Sequence, residues 1–287
     1  MNLVLFLKRW TLNLLFLAAL LSPWSSAWAE VGVTVSPSRF RLSNPPGEAV
    51  PGTLTFRNSG TYPIQITTEI TDMVTRENKQ GLWVRDEAPS GSTPHSCARW
   101  IQILRGEGQI VAPGASATLE FVVSPPPEVQ SGGYGAYLFV LAKPAEPPKP
   151  DTKGQPKVQF VTVPRLGVSV IYEVEGTLQR KGELLDLKFT PPTSTEPLKI
   201  RYGFRNTGNA EVVLTGDFHL LDDHELLQGK GSMAVLKTFP GEKAFAETVW
   251  DQSLPPGHYT LMLTLELGPE AEEVIVRELK FTVPESE

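Results

Sequence analysis

Short stretches in which every second residue is hydrophobic follow one another along most of the chain. They include VTVSPSRFRL, GTLTFRN, ATLEFVV and GAYLFVLA in the first half, and LKIRYGFRN, EVVLTGDFHLL and HYTLMLTLEL in the second. Successive side chains of a β-strand point to opposite faces, so a period of two predicts strands with one buried face. Turn residues interrupt the stretches about every 8–12 residues, which is typical of a β-sandwich.

Helical spacing is missing from this pattern. No segment of about a dozen residues keeps an apolar stripe at the helical period, and the 24 glycines and 26 prolines argue against long helices. The predicted fold class is therefore all-β.

One turn phrase occurs twice, as TFRNSG at residues 55–60 and as GFRNTG at residues 203–208. Each copy closes the second strand of a series. Asparagine bonds its own backbone in tight turns and glycine tolerates positive φ, so the phrase predicts a turn in both places.

Two further pairs of segments match in the same order. VAPGASATLEF corresponds to TFPGEKAFAET, and Gly135-x-Tyr137 corresponds to Gly257-x-Tyr259. The order of strands and turns suits a seven-stranded immunoglobulin-like sandwich in which the tyrosine forms a tyrosine corner. The repeat predicts two immunoglobulin-like β-sandwich domains in tandem.

The first 29 residues have the character of a secretory signal peptide. Lys8 and Arg9 precede the apolar run TLNLLFLAALL, and AWA supplies the small residues of a cleavage site before Glu30. The run is shorter than the roughly 20 residues of a membrane span, which favours cleavage over an uncleaved anchor. We expect export to the periplasm or another extracytoplasmic compartment.

The predicted domain boundary lies in EVEGTLQRKG, so that residues 30–176 form the first domain and residues 177–287 the second. Between the last two strands of the first domain, residues 143–157 form a proline-rich polar segment, KPAEPPKPDTKGQPK. This segment is predicted to be extended. A flexible arm that becomes ordered on a partner and a solvated hairpin connection are both compatible with it.

Composition narrows the possible partners and chemistry. Without Lys8 and Arg9 the chain has 24 basic and 32 acidic residues, a net charge of −8, which disfavours nucleic acid and anionic lipid as partners. Cys97 is the only cysteine, so no internal disulfide forms. We interpret Cys97 as a small, half-buried hydrophobic residue, because neighbours in sequence such as His95 rarely meet in a catalytic site.

Motifs for catalysis, phosphate binding or cofactor binding are lacking, so we expect a protein that is not an enzyme and needs no cofactor. The one group of ligand-type residues is HLLDDHE, with His219, Asp222, Asp223, His224 and Glu225. Such residues could hold a divalent ion, but they are also ordinary turn residues, and we predict a turn without metal.

Two arginines stand out on the first strand. Arg39 and Arg41 are two positions apart and so share a face, where guanidinium groups could bind a carboxylate. Charges that protect an edge strand from aggregation are the alternative.

The signal peptide, SPSRFRL, FRNSGTYPIQI, VAPGASATLEF and the long strand ending in VSVIYEVEG resemble the first domain of periplasmic pilus-assembly chaperones of the chaperone-usher type. The resemblance covers residues 31–176. It implies that Arg39 anchors the C-terminal carboxylate of a pilus subunit and that the last strand of the domain adds to the subunit's incomplete sandwich.

Other positions depart from the family pattern. The family's anchoring lysine is replaced by Ser169 or a close neighbour, and the nearest basic residue on that strand is Arg165. Pro164 interrupts the strand and removes one hydrogen-bond donor. The donated side chains are expected at Val158 and Phe160. Implied partners are secreted or pilus-type subunits and an outer-membrane usher, with self-association through an edge strand as a further possibility.

A second resemblance points to a different role. The segment from RWIQIL to GGYGAYLFV is similar to the peptidoglycan-binding domain of WxL-type surface proteins. It implies a cell-envelope glycan-binding or structural module in which exposed aromatic residues such as Trp83 and Trp100 contact sugars. For Trp100, in an alternating strand, the pattern favours burial in the core.

Overall fold

A computed structural model describes residues 32–146, 162–193, 196–269, 271 and 273–285. The predicted signal peptide, most of the proline-rich segment, Val158 and Phe160 lie outside the described residues. The described part contains 18 strands, one short 3₁₀ segment and no α-helix, which confirms the all-β prediction. It contains no helix long and apolar enough to cross a membrane.

The first ten strands build one sandwich. Its four-stranded sheet has the order β1-β3-β8-β6, and its six-stranded sheet has the order β2-β10-β9-β4-β5 with β7 beside β4. The strands are β1 (Val33–Ser36), β2 (Arg39–Asn44), β3 (Val50–Asn58), β4 (Ile64–Glu77), β5 (Trp83–Ala88), β6 (Ile101–Arg105), β7 (Ile110–Val111), β8 (Ser116–Val123), β9 (Gly133–Pro144) and β10 (Arg165–Val174).

The remaining eight strands build the second sandwich, from a three-stranded sheet β11-β12-β16 and a sheet β14-β13-β17-β18 with β15 beside β13. The strands are β11 (Gly182–Thr190), β12 (Leu198–Asn206), β13 (Val212–Asp222), β14 (Leu227–Ser232), β15 (Leu236–Thr238), β16 (Lys243–Trp250), β17 (Gly257–Glu266) and β18 (Val274–Val283).

The two-domain, immunoglobulin-like arrangement agrees with the prediction, but the strand count does not. Sheets of four and six strands, and of three and five, replace the expected seven strands in each domain. In the first domain the opening strand is divided between both sheets, as β1 and β2. The proposed boundary at 176/177 falls in the connection between β10 and β11.

Each sandwich has its own core, built from the alternating residues of facing strands. β3 shows the pattern well, because Leu54 and Phe56 are fully buried while the residues between them are exposed. Tyr202 and Phe204 on β12 have the same role in the second core. The burial of one face of each strand is the main stabilising contribution to such domains.

The repeated phrase has the same structure in both domains. Asn58 accepts a hydrogen bond from the amide of Gly60 at 2.9 Å and donates to the carbonyls of Tyr62 and Val111 at 2.9 and 3.0 Å. Asn206 accepts from Gly208 at 2.9 Å and donates to Ala210 and Thr238 at 2.8 and 3.0 Å. Each buried asparagine thus joins its own turn to the strand that precedes the Pro-Gly turn.

The glycines of these turns have two different purposes. Gly114 and Gly241, in the two Pro-Gly turns, have positive φ values of 75° and 81°, which favour glycine. Gly60 and Gly208, in the two asparagine turns, do not have positive φ values. A Cβ atom at Gly208 would lie 2.0 Å from the carbonyl oxygen of Gln179, so this position needs glycine for close approach of two backbones.

The tyrosine corner of the first domain is formed by Tyr134, three positions before the tyrosine predicted. The hydroxyl of Tyr134 donates to the carbonyl of Gln130 at 3.0 Å, and that of Tyr259 donates to Pro255 at 2.7 Å, in both cases four residues earlier. Tyr137 lies on the opposite face of β9, because side chains an odd number of positions apart on a strand point to opposite faces.

Candidate functional site

The predicted arginine pair lies on the outer face of the six-stranded sheet, where β2 and β10 run parallel. In this register Arg39 lies beside Ser169, and Arg41 lies beside Ile171. Both arginine side chains point away from the core of the first sandwich and towards the second. The alternation of the strand therefore places them on one face, as the sequence indicated.

Carboxylates from both sandwiches hold these arginines. Glu211, which comes just before β13, accepts hydrogen bonds from Arg39, from Arg41 at 3.2 Å and from Arg85 at 3.1 Å. Glu173, on β10, accepts from Arg41 and from Arg180 at 2.5 Å.

Glu242 also pairs with Arg85, at 3.1 Å. We call this group the cleft cluster, and its seven members are Arg39, Arg41, Arg85, Glu173, Arg180, Glu211 and Glu242.

The cleft cluster joins charged side chains of both sandwiches. Most of it is withdrawn from water, with side-chain exposures of 2% for Glu211 and 2% for Arg180. Arg39 is the most accessible member at 33%. The buried Nε atom of Arg85 has no hydrogen-bond partner.

Beneath the cluster, an apolar contact joins the two sandwiches. Phe239, from the loop after β15, packs with Met73 of β4 and Ile171 of β10, and all three are buried. The guanidinium carbon of Arg85 lies 4.2 Å from the centre of the Phe239 ring. Gly135 gives the ring its space, because a Cβ atom there would lie 2.1 Å from Phe239. Ionic and apolar contacts thus lie side by side between the two sandwiches.

Beside Arg39, one edge of β10 is open. The pairing of β10 with β9 runs from Arg165 to Glu173, whereas its pairing with β2 begins only at Ser169. Residues 165–168 are thus paired on one side alone within the described part of the chain.

The direction of the free backbone groups follows from two hydrogen bonds. The carbonyl of Pro164 accepts from Ala142 on the β9 side, and the amide of Ser169 donates to Ser38 on the β2 side. Backbone groups alternate along a strand, so Arg165 and Gly167 point their N–H and C=O groups to the open side.

The open edge results from the path of the first strand. β1 pairs with β3 in the four-stranded sheet, and β2 pairs with β10 in the other sheet. Because the chain crosses from one sheet to the other at residues 37–38, residues 165–168 of β10 have a neighbouring strand on one side only among the described residues. A strand edge of this kind can accept an added strand.

Arg165 lies at the far end of the open edge, on the outer face of the sheet. Its guanidinium donates to Glu69 at 2.8 Å and to both oxygens of Glu87 at 3.0 and 2.7 Å. It also stacks on Phe139, 3.4 Å from the ring centre. Arg165 and Arg39 thus lie at opposite ends of the same short edge, each with intramolecular carboxylates.

Cys97 is fully buried, not half-buried as expected, and burial raises the pKa of its thiol. The Sγ atom faces the carbonyl oxygen of Val170 at 3.7 Å. Burial also lowers the pKa of His95 below its usual value, although the carboxylate of Glu242 acts in the other direction. The raised thiol pKa and the backbone partner of Sγ oppose the activation that a nucleophile needs.

The HLLDDHE segment forms the turn between β13 and β14. Asp222 accepts hydrogen bonds from the amides of His224 and Leu226 at 2.8 and 3.0 Å and from the side chain of Gln228 at 2.7 Å. These contacts confirm the turn prediction. Among the described residues no group of three or more histidine, cysteine or acidic side chains is arranged to hold a metal ion.

The two tryptophans considered for sugar binding pack against other aromatic rings. Trp100 lies 4.6 Å from the ring centre of Tyr134 and 5.8 Å from that of Tyr172, against the first core. Trp83, on β5, lies 5.5 Å from Phe245 of the second sandwich. Both side chains are partly buried, so neither forms the exposed platform that the glycan-binding hypothesis required.

Sequence reasoning found the arginines of the first strand but none of the acidic residues that hold them. Glu173 and Glu211 stand in segments with no motif, and their distance in sequence from Arg39 and Arg41 hides the contact. The one feature of the sequence that indicated acidic partners was the pair of arginines itself, since charges on a half-buried face require counter-charges.

No protein-family model and no curated protein matches the chain. Among solved structures, it is similar to the YadV chaperone, with 8% identity, coverage of 87% of this chain and 99% of that chain, and a TM-score of 0.44. It is also similar to the class 5 fimbriae chaperone CfaA, with 10% identity, coverage of 86% and 98%, and a TM-score of 0.44.

A third similar structure is that of the Salmonella enterica SafA pilin with the SafB chaperone, with 11% identity, coverage of 90% and 99%, and a TM-score of 0.41. All three structures contain a chaperone.

Proposed function

We propose that this chain is an exported, non-enzymatic binding protein that holds a secreted or pilus-type subunit in the manner of a chaperone. The proposal rests on one observation, the open edge of β10 at residues 165–168 beside the half-buried Arg39. The two features supply the two kinds of contact that an extended chain end needs, which are backbone hydrogen bonds and a cation for its carboxylate.

The first contact is strand addition. Arg165 and Gly167 offer two amides and two carbonyls to a partner strand, and the edge is continuous with residues 162–164. The N–H and C=O groups of such an edge need hydrogen-bond partners when they leave water. A partner strand supplies them while its apolar side chains are buried. Val158 and Phe160, a few residues earlier in the chain, remain our candidates for the side chains that the partner would receive.

The second contact is an anchor for a carboxylate. Arg39 is the most exposed member of the cleft cluster, and its guanidinium group already binds a carboxylate. Ser169, its neighbour on β10, contributes no charge, so the anchor would be Arg39 with support from Arg41. Arg165 is the second candidate cation, at the other end of the edge.

The cellular setting belongs to the same proposal. The predicted signal peptide would take the chain to the periplasm, where pilus-type subunits are its expected partners and an outer-membrane usher is an expected acceptor. Self-association would use the same strand edge and would therefore compete with the partner.

Co-purification from the periplasm tests the anchor. We expect Arg39→Ala to abolish recovery of the partner subunit while the melting temperature changes little. Arg57→Ala is the matched control, because Arg57 is exposed on β3 in the other sheet. Unchanged recovery with Arg39→Ala would remove the anchor from the proposal.

Hydrogen exchange of single amides tests strand addition. The amide of Gly167 points to the open side and is expected to exchange slowly only with partner bound, whereas the amide of Leu166 faces β9 and should be protected in both states. Rapid exchange at Gly167 in the complex would contradict strand addition at this edge. Protection of Gly167 without partner, together with a dimer in sedimentation, would indicate self-association instead.

A further inference from the structure

We infer that Glu211 is an internal competitor for the carboxylate of the partner, so that binding of the partner releases Arg39 from the second domain. This inference rests on the proposed function, in which Arg39 receives that carboxylate. It assigns a role to an acidic residue for which the sequence contained no signal.

The geometry places Glu211 where an incoming carboxylate would bind. One of its oxygens, Oε2, accepts from Nη2 of Arg39 and from Nη2 of Arg41 at 3.2 Å, while Oε1 accepts from Nη2 of Arg85 at 3.1 Å. The guanidinium of Arg39 is thus occupied by a residue of the other sandwich, and a partner has to share it or displace Glu211.

When Arg39 leaves Glu211 for the partner, the buried carboxylate of Glu211 still has other cations beside it. Glu211 has a side-chain exposure of 2%, and it keeps Arg41 and Arg85 after Arg39 has moved away. Removal of the only partner of a buried carboxylate would be strongly unfavourable, but two arginines remain. Arg39 has a side-chain exposure of 33% and is held by Glu211, whereas Arg41, at 30%, is held by Glu173 as well as by Glu211.

The exchange couples partner binding to the contact between the domains. Arg39 belongs to the first sandwich and Glu211 to the second, so their ion pair exists only while the domains are docked. A ligand that takes Arg39 weakens this contact, and the contact weakens binding of the ligand by the same factor, because the linkage is reciprocal. Ligands without a carboxylate would leave the ion pair in place.

Two synthetic peptides serve as probes because the natural partner is unidentified. Both are fluorescein-labelled extended peptides of about ten alternating valine and serine residues, the length of a β-strand. One ends in a free carboxylate and the other in an amide. Their dissociation constants for the wild type, Arg39→Ala and Glu211→Gln are measured by fluorescence anisotropy with the full mature chain.

We expect Glu211→Gln to bind the carboxylate peptide about tenfold more tightly than the wild type. The reason is that the variant loses the charge-assisted hydrogen bond from Arg39 to Glu211, which competes with the peptide. The amide peptide should bind both proteins equally. Glu242→Gln is the matched control, because Glu242 pairs with Arg85 and not with Arg39, yet its removal changes the charge of the cluster equally. An equal gain in both variants would indicate a general field effect and overturn the inference.

A second variant keeps the test valid if Glu211→Gln fails to fold. Glu211→Asp retains the charge but has a shorter side chain, and we expect a smaller gain with the carboxylate peptide. If the wild type does not distinguish the two peptides, or if Arg39→Ala does not change that preference, the proposed anchor fails. If the wild type prefers the carboxylate through Arg39 but neither Glu211 variant changes the preference, the anchor stands and the role of Glu211 is refuted.

Discussion

Asn58 and Asn206, which stand 148 positions apart in the chain, make the same three hydrogen bonds in the two domains. Each accepts from the amide two residues later, donates to the carbonyl four residues later, and donates to the residue that comes two positions before the proline of a Pro-Gly turn. The repeated phrase is therefore a structural unit, in which one buried amide side chain connects two turns.

Replacement of either asparagine should destabilise its own domain. We expect Asn58→Ala to lower the free energy of unfolding by about 3 kcal/mol, because buried carbonyl and amide groups lose their partners. Urea unfolding of the variant measures the loss. Asn78→Ala is the control, since Asn78 caps an exposed turn and its loss should cost about 1 kcal/mol or less. A loss no larger than that of the control would contradict the structural role of Asn58.

Asp72 should make the stability depend on pH. Burial acts to raise its pKa, but hydrogen bonds from Ser96, Gly91 and Thr93 outweigh burial and hold the pKa below its usual value. The lowered pKa means that Asp72 stabilises the fold above the pKa of the unfolded chain, near 3.9, and that this stabilisation is lost as the pH falls through the lower folded value.

Unfolding measured between pH 7 and pH 3 tests this dependence. Asp72→Asn should be less stable than the wild type at pH 7 and should lose less further stability on acidification. Asp217→Asn, at an exposed position, should follow the wild type. Parallel pH curves for the wild type and Asp72→Asn would show that Asp72 does not contribute to the acid sensitivity.

Phe239 should hold the two domains together more than it stabilises either one. Phe239→Ala removes a buried ring from the contact with Met73 and Ile171, at a cost of about 3–4 kcal/mol. Calorimetry should show the two domains melting in more clearly separated transitions. Gly135→Ala should act in the same way, because its methyl group would occupy the space of the ring. Leu226→Ala, at a side chain with 59% exposure, is the control, and its trace should match that of the wild type.

The thiol of Cys97 should be unreactive in the folded protein. It is fully buried, and burial raises its pKa, so the thiolate that reacts with iodoacetamide is scarce at neutral pH. Mass spectrometry after labelling should show modification only in denaturant. Rapid labelling of the native chain would indicate an accessible, activated thiol and would reopen the question of catalysis.

Much of the fold could be predicted because it follows from local rules. The alternation along β3 and β12 requires strands with one buried face, and the FRNSG and FRNTG phrases require turns whatever surrounds them. Their recurrence in the same order showed that the domain is duplicated. An error arose where two tyrosines could satisfy the same pattern. Tyr134 and Tyr137 both follow a Gly-x spacing, and only the packing of β9 distinguishes them.

The candidate site could be predicted only in part. The sequence by itself determined the all-β class, the tandem arrangement and the shared face of Arg39 and Arg41, because these depend on neighbours along the chain. Tertiary structure decided that Glu211 and Glu173 hold these arginines and that β10 has an open edge beside them. Those features depend on the crossing of the first strand between two sheets and on the docking of the two domains, which bring together residues that local sequence patterns do not relate.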